Sequence, residues 1–321
     1  MRRRLPLLGG ALALLVCASA VVLAGGPPSV SEAFVTTQND DSLSIVTLAD
    51  LKVAETLKIG GKPAGIALSA DGELAFLTSP EGKEVVVVDA VARKVVRRIR
   101  IGEGPLGIAA HPTNGRIYVA DWYTHKLSVV DPAAGTTLAE VAVGDSPSGV
   151  AVTPDGRLVL TADRDSNAVS FVDVATNARL GDVTVGERPF GITIDAGGER
   201  AYTANVGSDD VSVIDIAKRA VVATIKVERR PYAIALSGGR AFVTNQYTST
   251  VSVIDLQSMA VIKSIPVGDH PEGIAADPAG KYVYVACWFD NVLMRIDTAT
   301  LAVEGEAAVG DGPRAFGLFL R

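Results

Sequence analysis

Cysteine is nearly missing from this chain: there are two, Cys17 and Cys287. Only Cys287 lies beyond the apolar N-terminal stretch, so no internal disulfide can staple the rest, and the fold must rest on strand pairing and packing. Aromatic residues make up only 5%; Val and Ala dominate instead, which suits closely stacked layers with small residues toward an axis. Segments of helical period are lacking. So are a C-x-x-C-H haem site, a zinc-type Cys/His spacing and an EF-hand loop. After residue 24 no apolar run is long enough to span a bilayer, and no linker or low-complexity tract interrupts the chain. Basic charge is in deficit too. Removing Arg2, Arg3 and Arg4 takes the formal charge from −6 to −9, which argues against general binding to nucleic acid or an anionic membrane.

What is present begins with Met1–Ala24. Three arginines precede an apolar stretch that ends in small residues. This pattern reads as a secretory signal, with cleavage after Ala20 or Ala24, and it predicts a periplasmic or secreted protein. An uncleaved anchor is the competing reading, since about 20 apolar residues can span a bilayer; Pro6, Gly9 and Gly10 weaken it. Val16 before Cys17 does not make a lipobox. Residues 25–31 form a Gly/Pro/Ser leader, and 32–321 read as one domain.

That domain is a repeat. A proline followed, usually after one residue, by glycine recurs at Pro63, Pro105, Pro147, Pro189, Pro231, Pro271 and Pro313, in steps of 42, 42, 42, 42, 40 and 42 residues. The aspartate ending V-S-V-I-D recurs at Asp89, Asp131, Asp173, Asp215, Asp255 and Asp297 with the same single step of 40. Each unit reads as four short strands, which predicts a propeller blade. The short step loses two residues within Ala233–Phe242, which keeps every side chain on its own face because strands alternate with period two. The chain opens on a second strand (Glu32–Thr36) and closes on a first strand (Gly312–Phe319). The expected architecture is therefore an all-β, seven-bladed β-propeller of four-stranded antiparallel blades, its ring closed by a composite blade from both termini.

Phe242-Val243-Thr244-Asn245, Tyr202-Thr203-Ala204-Asn205 and Tyr118-Val119-Ala120-Asp121, each followed by a V-S-V-I-D-like strand, resemble the YVTN family of β-propeller repeats and the YncE-like proteins built from them. The resemblance covers about residues 32–321. The wider group is similar to nitrite reductase haem d1 domains and quinoprotein amine dehydrogenase propellers, which implies extracytoplasmic proteins of varied function, some redox-linked. The family shares no catalytic motif to carry over. The chain departs from the pattern at Thr37, Ser79 and Cys287, where the asparagine would sit, and at Thr47, where the aspartate would sit.

Apparent motifs reduce to structure. Gly102–Gly107 matches G-x-G-x-x-G but precedes a strand, not the helix that would hold a pyrophosphate. Gly144-Asp145-Ser146 runs into Pro147 and a strand, so it is no nucleophile elbow. The six repeated aspartates each end a strand before a turn, where they can accept nearby backbone amides.

The informative departure from symmetry is on one face. In a blade, the loop into the first strand and the loop joining the second and third strands emerge together. The residues after the repeated proline are Ala64, Leu106, Ser148, Phe190, Tyr232, Glu272 and Arg314. These are expected to line the channel mouth, small on one side, aromatic and charged on the other. Arg188, Arg230 and His270 precede their prolines, with Arg229 beside them; Gln246, Tyr247, Cys287, Trp288, Phe289 and Asp290 come from the second loop set. The candidate ligand- or partner-binding set is Arg188, Phe190, Arg230, Tyr232, His270, Glu272, Trp288 and Arg314. A solvated rim with an exposed Glu272–Arg314 pair, worth about 0–1 kcal/mol, is the competing reading.

The function expected is a non-catalytic, monomeric scaffold in the cell envelope. It binds a protein partner or small ligand on this face, with no cofactor and no catalytic or metal-ligating set. Three alternatives remain: a propeller accessory to, or part of, a haem or quinone enzyme, resting on the resemblance and on His270, Cys287 and Arg314; a lactonase-type hydrolase, using His270, Glu272 and Arg314; and a single-stranded nucleic-acid binder, using Arg188, Arg229 and Arg230 interleaved with Phe190, Tyr232 and Tyr247.

Overall fold

Apolar alternation with period two makes each short run a strand, and the computed structural model shows them so. It describes residues 30–321. The expected signal segment 1–24 and leader positions 25–29 lie outside the described residues. The described residues form seven sheets in sequence order around a central channel. We number the blades 1 to 7 from the N-terminal side. Blade 4 is typical: Pro147–Val152 innermost, then Leu158–Asp163, Ala168–Asp173 and Ala178–Thr184, all antiparallel. The innermost strands of blades 2, 3, 5, 6 and 7 are Gly65–Leu68, Pro105–Ala110, Pro189–Ile194, Pro231–Ser237 and Pro271–Ala276.

Blade 1 contributes Glu32–Thr37, Ser42–Thr47 and Lys52–Lys58, and its inner strand comes from the C-terminus, as expected. Pro313 lies opposite Thr37 and Leu320 opposite Ala33. Arg314 N–H donates to Thr36 O and Phe34 N–H to Phe319 O, both at 2.8 Å. The sequence did not foretell the middle of this strand. Phe316–Gly317 leans away from blade 1 and pairs in parallel with Gly65 and Ile66 of blade 2, so the closing strand is shared by two blades. Glu32, buried at its outer end, is an ion partner of both Arg321 and Arg93.

Flat blades pack face to face, and the alternating side chains fill the gaps between them. Between blades 3 and 4, for example, Tyr118, Leu127, Val129, Val159 and Val172 form one buried cluster. Each such aliphatic side chain contributes about 1.5–3 kcal/mol by leaving water. At the axis the inner strands come too close for side chains. A Cβ on Gly107 would fall 1.8 Å from Ser148 O, and one on Gly65 2.2 Å from Leu106 O. Glycine therefore follows the mouth residue in five blades, with Ala233 and Ala315 in the other two.

The repeated threonine of the second strand ties neighbouring blades together. Thr36, Thr78 and Thr244 hydroxyls donate to Ala64 O, Leu106 O and Glu272 O of the next blade, at 2.9, 2.7 and 2.9 Å. In blade 4 the mouth residue Ser148 supplies the link instead, donating to Phe190 O at 3.1 Å. The shortened unit behaves as expected: Gly238 and Gly239, at φ 56° and 76°, close a two-residue turn between Ser237 and Arg240. Ile234 still faces Val243, as Val150 faces Thr161 in blade 4. The repeated aspartates are turn residues; Asp89 accepts from Val91 and Ala92 N–H, and Asp297 from Ala299 and Thr300 N–H.

The asparagine ending the second strand also has a structural task. Asn205 Nδ2 donates to Ser212 Oγ at 2.9 Å, and Asn245 Nδ2 to Ser252 Oγ at 2.9 Å. In blade 4 the same place holds Asp163, fully buried, with Thr161 and Ser170 hydroxyls donating to it. Burial outweighs those hydrogen bonds and raises its carboxyl to about 6.

Two predictions follow from this packing. Gly107→Ala should lower the unfolding free energy by several kcal/mol, because backbone must shift to clear the methyl group. Its size can be read from denaturant unfolding, and a loss below about 0.5 kcal/mol would contradict the axial contact. For Asp163, the folded state keeps its proton up to about pH 6, whereas the unfolded chain releases it near pH 3.9. Stability from this residue therefore falls as pH rises from about 4 to 6 and is lost above that, by roughly 1–3 kcal/mol. Asp163→Asn, which can repeat the Asn205 bonding, should exceed wild type in stability at pH 7 by that amount and converge with it near pH 4. A wild-type-minus-variant difference that stays flat over this window would refute the raised carboxyl.

Candidate functional site

The face bearing the loops into the inner strands is where the seven repeats differ most. The post-proline residues turn inward as expected, but they close the mouth rather than line an open one. Ala64, Leu106, Ser148, Phe190, Tyr232 and Glu272 are all buried. Phe190 stacks on Tyr232 with centroids 4.3 Å apart, and Phe316 meets both at 5.1 and 5.6 Å. The three rings form a plug across the channel. Beneath it lies a cavity of about 250 Å³, walled by Ile108, Val150, Ile192, Ile234 and Ile274.

A polar chain runs over the plug. Arg314 donates to Tyr232 Oη from Nε at 3.1 Å and Nη2 at 2.6 Å, and to Gln38 Oε1 from Nη1 at 3.2 Å. Gln38 is itself held by donating to Lys62 O. Glu272 Oε2 stands 3.3 Å from Arg314 Nε, with no well-directed hydrogen bond. Glu272 Oε1 accepts from Gln246 Nε2 at 2.9 Å, and Gln246 Oε1 accepts from Arg230 Nε at 2.6 Å. Burial pushes the Glu272 carboxyl above its usual range, opposed chiefly by Arg314. Burial likewise pushes the Tyr232 phenol up, so it stays protonated.

The expectation of an exposed Glu272–Arg314 pair on a solvated rim is therefore corrected. The two side chains are only 9% and 17% exposed, because the aromatic plug and the Gln38 and Gln246 loops cover them. Of the eight candidate residues, Phe190, Tyr232, Glu272 and Arg314 form one contiguous group. Arg230 joins it through Gln246, and Trp288 packs 6.0 Å from the Arg314 guanidinium. His270 lies further out, its ring 4.9 Å from Phe289 and 5.8 Å from Tyr247. Among the described residues no hydrogen bond or ion pair joins it to Glu272 or Arg314, so the hydrolase set does not converge. Arg188 is exposed, and its guanidinium makes no hydrogen bond or ion pair among the described residues.

Cys287 is fully buried under Gly268. Burial pushes its thiol up to about 12, which does not suit a thiolate ligand. Burial also lowers His270. Among the described residues no three His, Cys, Asp or Glu side chains are grouped to hold a metal ion. The base-stacking reading loses Tyr232, which is closed into the plug, and leaves Phe190 only the small surface that borders the mouth pocket.

Above the plug, beside Leu106, the mouth residue of blade 3, lies a pocket of about 240 Å³. Leu106 forms its floor. Trp122, Tyr123 and Phe190 form an aromatic wall, and Gln38 and Arg314 a polar one. Arg164 covers Trp122 at 5.4 Å, fixing the indole. The tyrosine rests on Gly104, where a methyl group would fall 2.4 Å from its ring. Trp122 and Gln38 were outside the candidate set, yet a signal for them existed. Gln38, Pro80, Trp122, Arg164, Val206, Gln246 and Trp288 all follow the second strand at one repeat position, forming a second ring of seven.

With blades, closure and mouth in view, the class is clear: a seven-bladed β-propeller. Residues 29–116 match the family model of YncE-like beta-propellers. No curated protein matches it. Among solved structures it is similar to hydrazine synthase of Kuenenia stuttgartiensis, at 22% identity and a TM-score of 0.74, over 81% of this chain and 90% of that one. It is also similar to a functionally unknown protein from Desulfotomaculum acetoxidans DSM 771, at 16% and 0.77, over 89% and 99%. A third is the dihydro-heme d1 dehydrogenase NirN in complex with DHE, at 15% and 0.67, over 90% and 75%. At these identities the likeness carries the fold alone.

The buried pair can be tested directly. Arg314→Met should destabilise by about 3–5 kcal/mol, because Glu272 is left buried without its counter-charge; Arg314→Met with Glu272→Met together should recover most of that loss. Chemical denaturation of the three proteins decides it. A single variant as stable as wild type would mean the pair is solvated after all.

Proposed function

We propose that this protein is a non-catalytic binding scaffold acting outside the cytoplasm, with the mouth pocket as its ligand site. One observation carries the reading: the repeats differ most at the mouth, and there the differing residues enclose a pocket with one aromatic and one polar wall. Concave, mostly apolar sites with a few placed polar groups are the usual form of a small-molecule site. The charged N-terminal segment followed by apolar residues supports the extracytoplasmic address. The described acid, base and nucleophile side chains do not converge at the pocket, which supports binding over turnover.

A second reading, a propeller accessory to a haem or quinone enzyme, is favoured by two structural neighbours, a hydrazine synthase and a dihydro-heme d1 dehydrogenase. Native mass spectrometry of the protein taken from its own cell envelope separates the two. The scaffold reading expects a colourless protein carrying a small retained mass, lost in Leu106→Trp, which fills the pocket floor, and reduced in Tyr123→Ala, which opens its wall. A visible chromophore would favour the redox reading. A bare mass for wild type and variants alike would remove the pocket from consideration.

A further inference from the structure

The pocket's chemistry narrows what it can hold, given the scaffold reading on which this inference rests. Its volume, about 240 Å³, is below the roughly 300–1,000 Å³ of sites for drug-sized ligands, so the occupant is small. Trp122 and Phe190, with centroids 6.2 Å apart and planes at 51°, present an angled aromatic wall. Aromatic walls favour stacked or edge-on rings.

The polar side is more specific. A guanidinium has five N–H donors. Arg314 spends three, on Tyr232 twice and on Gln38 once. One N–H on each of Nη1 and Nη2 is left without a partner among the described residues, and Arg314 lines the pocket. Two N–H groups on one planar fork suit a carboxylate. Charge agrees. The chain Arg230–Gln246–Glu272–Arg314 holds two guanidiniums and one carboxylate, in a protein whose net charge is −6. Protonating Glu272 would only enlarge the positive excess. Gln38, fixed to Lys62 O, acts as a positioning residue that aims the fork.

We infer that the mouth pocket takes a one- or two-ring aromatic carboxylate, its ring against Trp122 and Phe190 and its carboxylate on the free N–H groups of Arg314. The same chemistry is offered by a free aromatic acid or by the C-terminal aromatic residue of another protein.

Titration calorimetry of the full protein with 1-naphthoate, 1-naphthylmethanol and cyclohexanecarboxylate tests this. Naphthoate should bind at least tenfold more tightly than either control. Arg314→Lys keeps a charge beside Glu272 but removes the fork; it should weaken naphthoate at least tenfold and leave naphthylmethanol unchanged. Gln38→Leu, read the same way, gives a second variant should the first not fold. An alcohol or a saturated acid that binds as well as naphthoate overturns the assignment. No binding of naphthoate while the envelope-purified protein retains some other small molecule overturns the ligand class and spares the scaffold reading; no binding and no retained mass removes both. Among peptides, one ending in a free phenylalanine carboxylate that outcompetes N-acetylphenylalanine identifies a protein terminus as the source, and equal competition identifies a free acid. An amidated peptide that competes equally well would count against the carboxylate.

Discussion

Everything in this molecule depends on how closely seven inner strands can approach one axis. At the five post-mouth glycines the approach is backbone to backbone, with a carbonyl oxygen of the next blade where a Cβ would be. That contact has two effects. It fixes the blades at a spacing where threonine hydroxyls of one unit reach carbonyls of the next. It also leaves the residue just before it, the post-proline side chain, as the group that must fill or seal the channel. The identity of seven side chains thus decides much of whether the ring is open, and here Phe190, Tyr232 and the Glu272–Arg314 pair, joined by Phe316, seal it.

The sealing has an electrostatic side. An arginine and a glutamate would have no reason to be buried in an all-aliphatic ring, and desolvating them costs several kcal/mol apiece. They are retained at the point where the channel meets the solvent, joined by two glutamines and a tyrosine in a network that spans blades 1, 6 and 7. A network of this kind rigidifies one arrangement of side chains when its members are satisfied.

Most of the fold was legible because repetition and period-two alternation are read off the chain directly. The prolines, the V-S-V-I-D aspartates and the two-residue deletion fixed the number of blades, their strands and even the surviving register of the shortened hairpin. The sharing of Phe316–Gly317 between two blades was not legible, because nothing local distinguishes a closing strand that bends from one that does not. At the site, the sequence pointed to the face where the repeats differ most and left the exposure of its charges open. Glu272 and Arg314 look like surface charges when counted singly; only the bulk of Phe190, Tyr232 and Phe316, arriving from blades far apart in sequence, puts them out of water. Gln38 and Trp122 lay outside the candidate set because the second-strand ring was drawn on only from blades 6 and 7.

That second ring has an optical consequence. The chain contains two tryptophans, Trp122 and Trp288, and both occupy this repeat position on the mouth face, one capped by Arg164 and the other near Arg314. Indole emission from the whole protein is therefore emission from the channel mouth, so its colour and lifetime report the polarity of that small region with no label attached.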